Sequence, residues 1–154
     1  MSSFTDTEGR TWTVELTYGS AKRVKKLVGV DLLAIEHGDP PLLTRLGTEI
    51  MLVCDVIFAL IKPQADEQGV SDEEWAEAMG GDAITEAHEA LYEAIVNFFR
   101  SRGRTDVGKA VAKQKSLIDE TVKAGTDWID GLDATEEARS IYGGSATGSE
   151  ESAG

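Results

Sequence analysis

A single cysteine, Cys54, and only two histidines, His37 and His88, leave this chain of 154 residues short of the side chains from which metal centres and nucleophilic sites are usually built. One thiol cannot close an internal disulfide, which fits a reducing cytoplasm. The longest apolar stretch, Ile50 to Ile61, spans about a dozen residues where a membrane crossing needs about 20. It carries Asp55 and ends at Lys62, so it reads as a buried core helix. Met1 to Asp6 has neither the basic start nor the apolar run of a signal peptide, and a cytoplasmic location is expected. There is no internal repeat, no Walker-type loop and no dinucleotide fingerprint, so no nucleotide or other cofactor is expected.

Charge is abundant but unevenly placed. The formal net charge is −13, and a chain this acidic is repelled by a phosphate backbone, which disfavours a nucleic-acid partner. Between Pro63 and Phe99 there is neither Lys nor Arg, while Asp66, Glu67, Asp72, Glu73, Glu74, Glu77, Asp82, Glu86, Glu89 and Glu93 fall in that stretch. Basic residues gather instead at Lys22, Arg23, Lys25 and Lys26, and again from Arg100 to Lys115. Such a patchwork suits self-association, a basic surface on one copy meeting an acidic one on the next. Solvated helix faces are the plainer reading of the same pattern.

Local signals divide the chain into elements. Trp12, Val14 and Leu16 alternate with Thr11, Thr13, Glu15 and Thr17, the period-two pattern of a strand with one buried face. With Phe4 to Asp6 and the polar turn Thr7 to Arg10, they predict an N-terminal hairpin that must pack on helices to be stable. Ala21, Val24, Leu27 and Val28 predict an amphipathic helix capped by Thr17 or Ser20 and stopped by Gly29. Asp31 caps a short turn, and Gly38-Asp39-Pro40-Pro41 breaks the chain. The apolar helix runs from Glu49 to Ile61, where Pro63 is expected to end it. Ser71 and Glu74 form a capping box, with Val70 and Trp75 as a hydrophobic staple, so a helix starts at Asp72. Gly80-Gly81 closes it and Asp82 caps the next, whose face is Ile84, Ala87, Leu91, Ala94, Ile95 and Phe98. Asp106 caps a further helix with Val107, Ala110, Val111 and Gln114 on one stripe, extended past Gly125 by Trp128, Ile129 and Leu132.

The expected fold is α+β, predominantly α: a hairpin on a small helical bundle over residues 1–104, a C-terminal helical extension over 105–142 and an unstructured tail over 143–154.

No constellation for catalysis emerges. Four residues beyond His88 stands Tyr92 where a metalloprotease helix needs a second histidine. Glu86 and His88 are two apart, so they diverge by about 200° around a helix and cannot share a di-iron site. Cys54 lies in the most apolar helix, where a thiol is usually an inert small hydrophobe. Asp66 to Glu77 lacks the alternating oxygen ligands and central glycine of a calcium loop. No catalytic or metal-binding residue is assigned, and a non-enzymatic role follows. The candidate contacts with a protein partner are Lys22, Lys25 and Lys26 on the basic helix, and Trp128, Ile129 and Leu132 near the C-terminus.

The order of these parts resembles a known family. Phe4-Thr-Asp-x-x-Gly9-Arg10-x-Trp12 leads into Ala21-x-x-Val24-Lys25-x-x-x-Gly29-Val30-Asp31-Leu32-Leu33. Leu52 to Leu60 follows, then Gly69-Val70-Ser71-x-Glu73-Glu74-Trp75 and Gly81-Asp82-Ala83-Ile84 to Phe98-Phe99. This layout, over residues 4–100, resembles tail assembly chaperones of long-tailed bacteriophages and prophages. The stretch from Arg100 onward matches no part of that pattern. The resemblance implies binding to the long helical tape measure protein, recruitment of tail tube protein, self-association and absence from the mature virion. In that family a frameshifted longer product adds a C-terminal domain. A structural tail or neck component and a small acidic regulatory module stay open as alternatives.

Overall fold

The alternation of Trp12 and Val14 with threonines draws the N-terminus into a hairpin in the computed structural model, which describes residues 2–117 and Glu120. Strands β1 (Ser2–Thr5) and β2 (Thr11–Val14) pair antiparallel, Phe4 opposite Trp12 and Ser2 opposite Val14. Those four side chains form the buried face. The turn is built around Asp6, whose side chain is wholly covered. Its Oδ1 accepts from the backbone N–H of Glu8 (2.9 Å) and of Arg10 (3.0 Å). Its Oδ2 accepts from Arg10 Nε (2.8 Å) and Trp12 Nε1 (2.9 Å). Gly9, at φ 82°, supplies the left-handed residue the turn needs.

Helix α1 (Tyr18–Val28) starts at a reciprocal cap, Ser20 N–H on Thr17 Oγ1 and Thr17 N–H on Ser20 Oγ. A 3-10 turn (Leu32–Ala34) capped by Asp31 follows. Next comes α2 (Leu42–Thr48), a seven-residue helix without a side-chain cap and without a signature in the sequence. The long apolar helix α3 (Ile50–Gln68), α4 (Asp72–Glu77) and α5 (Asp82–Ser101) complete the main bundle. β1 lies on α5, β2 on α3, and α1 along α3. Trp75 of α4 is buried between Phe58 (ring centroids 5.3 Å apart) and Phe4 (6.4 Å), which ties the bundle to the hairpin. The class is α+β and predominantly α, with the hairpin at the N-terminus.

Two details depart from the sequence reading. Pro63 does not end α3; the helix continues to Gln68 and stops at Gly69, φ 68°. Pro63 has no N–H for the carbonyl of Ala59. That carbonyl instead accepts from Arg23 Nη1 of α1 (2.9 Å), which also reaches Leu60 O (3.2 Å). One residue on, the side-chain amide of Gln64 takes both backbone groups of Thr13, accepting from its N–H (2.9 Å) and donating to its C=O (2.8 Å). The second departure is at α5. Its N-cap is Gly81, in a conformation open to glycine, and no side chain bonds the cap; Asp82 is already the first helical residue.

The chain divides into two compact units, Met1–Lys115 and Ser116–Gly154. The boundary expected at 104–105 therefore falls inside the first unit. Residues 105–115 are helical (α6). Val107 and Val111 are buried, and Gln114 Nε2 donates to Leu43 O and, at 3.0 Å, to Tyr92 Oη. Residues 118–119 and 121–154, which include Trp128, Ile129, Leu132 and the tail expected over 143–154, lie outside the described residues.

Candidate protein-binding surface

The three lysines named from the sequence all sit exposed on α1. Because a helix turns about 100° per residue, Lys25, Lys26 and Leu27 fan across its outer half. Lys22 and Lys26, one turn apart, share a stripe with Tyr18, and Lys22 Nζ lies 5.5 Å from the Tyr18 ring centroid. Lys25 stands on the flank away from Leu27. Lys25 and Lys26 occupy the last turn, where positive charge complements the exposed carbonyls of the helix end. None of the three lysines enters an ion pair among the described residues.

Beside α1 runs an open groove of about 490 Å³ that the sequence reading did not single out. Its floor is an α3 stripe of Asp55, Phe58 and Lys62; Leu27 and Val28 form one wall, and Asp72 at the start of α4 lies opposite. Met51, one turn before Asp55 on the same stripe, is 79% exposed, and Leu27 is 51% exposed. Lys62 is neutralised by Asp66, Nζ to Oδ1 at 3.0 Å. Asp55 and Asp72 enter no ion pair among the described residues, so the groove carries negative charge between apolar walls. The signal was present in the sequence: Met51, Asp55, Phe58 and Lys62 follow the i, i+4, i+7, i+11 spacing of one helix face, with Asp55 and Lys62 the only charges between Ile50 and Lys62.

The remaining reactive side chains are scattered. His88 Nε2 lies 2.8 Å from Leu46 O, and its ring stacks on Tyr92 at 4.8 Å, so α5 uses it to hold the end of α2. Cys54 is half-buried; burial, and then the neighbouring Asp55 charge, push its thiol up and away from the reactive thiolate. His37 is exposed beside a second hollow lined by Asp31, Asp39 and Arg45. Among the described residues, no three His, Cys, Asp or Glu side chains gather closely enough to hold a metal ion. Nor, among them, is any helix long and apolar enough to cross a membrane.

What the surface offers chemically is contact: apolar side chains in solvent, ringed by charges of both signs. Compared with known proteins, the chain matches no family model, no curated protein and no solved structure.

Proposed function

We propose that this protein is a tail assembly chaperone of a long-tailed phage or prophage, acting in the host cytoplasm through protein contacts alone. Its client is the tape measure protein, which it keeps extended and dispersed while tail tube subunits are recruited. The observation that carries this reading is the set of large apolar side chains held in solvent on helices: Met51 at 79% exposure, Tyr18 at 66%, Leu27 at 51% and Ile50 at 46%. Scattered single apolar residues are ordinary on a protein surface, but here Leu27 of α1 lines one groove with Phe58 of α3, beside the unpaired carboxylates of Asp55 and Asp72. Anchors of this size give repeated contacts to an amphipathic helix, and modest individual contacts let a growing tail tube displace the chaperone. The order of hairpin, basic helix and helical bundle that resembles the chaperone family supports the same reading.

Co-expression with the tape measure protein of the same genome tests it. A co-purifying complex is expected, with the tape measure protein dispersed only when the chaperone is present. If the tape measure protein is equally insoluble with and without this chain, the reading fails. Mass spectrometry of purified particles gives a second readout: the chain is expected to be missing, and its recovery there would make it a retained tail or neck component.

A further inference from the structure

The groove between α1, α3 and α4 and the lysine-rich ridge of α1 are complementary and adjacent on one molecule. Asp55 and Asp72 supply negative charge to the groove, with Phe58 on its floor. Lys22, Lys25 and Lys26 supply positive charge to the ridge, and Tyr18 adds an exposed ring. α1 has 11 residues, about 16 Å of helix, of which the groove floor from Asp55 to Lys62 receives about 10 Å, the two turns that carry Lys22 to Lys26. We infer that the groove is filled by α1 of a second copy, in a two-fold dimer.

The geometry closes on itself. Leu27 faces the groove from α1, so laying α1 of one copy in the groove of another brings the two α1 helices side by side with Leu27 against Leu27 at the axis. The outward stripe of Lys22 and Lys26 then faces Asp55 and Phe58 of the other copy. Lys25, on the far flank, faces Asp72 at the start of the other copy's α4. Each copy gives one ridge and receives one, so a single rotation fills both grooves and leaves none open for further growth. A basic helix from an unrelated protein would satisfy one groove only and leave the lysine ridge unpaired. The contact relieves three features of the isolated chain together: half-exposed Leu27, two unpaired carboxylates, and three unpaired ammonium groups. Because opposite charges carry much of the recognition, association weakens with salt.

The dimer covers Leu27, which the chaperone reading offers to its client, so client and second copy compete for that face; the two tests stay separate, because this readout is the mass of the chain alone with no client present. Sedimentation equilibrium is run on the full chain at about 50 µM, a concentration at which a dimer of micromolar Kd is mostly associated. The wild type is expected at twice 16.6 kDa, with a dissociation constant rising roughly tenfold or more between low and high salt. Lys22→Glu/Lys26→Glu and, separately, Asp55→Lys are expected to run as monomers with unchanged circular dichroism, all three positions being exposed. An equimolar mixture of the two variants is expected to return to the dimer mass, because each ridge then meets a groove of opposite sign. A monomeric wild type overturns the inference, as does a dimer that both variants leave intact or an open-ended series of larger species. Should a variant unfold, Leu27→Cys in a Cys54→Ser background decides: an oxidised dimer across the axis supports the inference, and its absence refutes it.

Discussion

Arg23 shares the basic helix with three lysines that face solvent, yet its own guanidinium is spent on the carbonyls of Ala59 and Leu60. An interior proline costs a helix about 3 kcal/mol, and a hydrogen bond from a charged donor returns about 1.5–3 kcal/mol. Arg23→Ala is therefore expected to destabilise the fold by about 2 kcal/mol, with a markedly smaller loss in a Pro63→Ala background, where the amide N–H is restored. Denaturant titration of the four proteins checks this; equal losses in both backgrounds would mean that Arg23 acts elsewhere. Asp6 is the second residue with an outsized role. Burial pushes its carboxyl up, but bonds from Arg10, Trp12 and two backbone amides outweigh that and hold it below its ordinary value of 3.8. A carboxyl depressed in the folded state contributes stability above the unfolded-state pKa, and that contribution fades as pH falls through 3.8 and below. Asp6→Asn is expected to lower the melting temperature at neutral pH and to flatten this acid limb, as followed by thermal melts across pH 2–7, with a loss of about 1–3 kcal/mol at pH 7.

At the scale of elements, caps decide where helices begin. The Ser71–Glu74 box opens α4, a helix of only six residues that would not persist unaided. Ser71→Ala is expected to cost about 1 kcal/mol and to loosen Trp75 from Phe4 and Phe58, visible as a red shift in tryptophan emission. The box, the Thr17 cap, the alternation of the hairpin and the buried face of α5 could all be read from sequence because each rests on residues within a turn or two of one another. Three features could not be read this way. α2 is short and uncapped, so nothing local marks it. The continuation of α3 through Pro63 depends on Arg23, forty residues earlier in the chain. The groove exists only once α1 and α4 flank α3, although the row of Met51, Asp55, Phe58 and Lys62 was written in the sequence. Lys22, Lys25 and Lys26 lie at the surface, whereas Trp128, Ile129 and Leu132 fall outside the described residues.

For the molecule as a whole, the first unit is larger than the hairpin and bundle suggested, since α6 closes over α2 and α5. Val107 and Val111 are buried there, at 4% and 0% exposure. Burying a valine contributes about 1.5–3 kcal/mol, so a chain ending at residue 104 is expected to be less stable than one ending at 115 by roughly 3–5 kcal/mol, as measured in urea. Equal midpoints would show that α6 adds nothing to the fold.

One small contact bears on the outer edge of strand β2. A hairpin is half a template: the rim of its outer strand invites any extended peptide to add itself as a third strand. Gln64, by clasping both main-chain groups of Thr13, occupies the middle of that rim with an amide that cannot be extended further. That edge of the hairpin is thereby denied to an added strand by one side chain from the neighbouring helix.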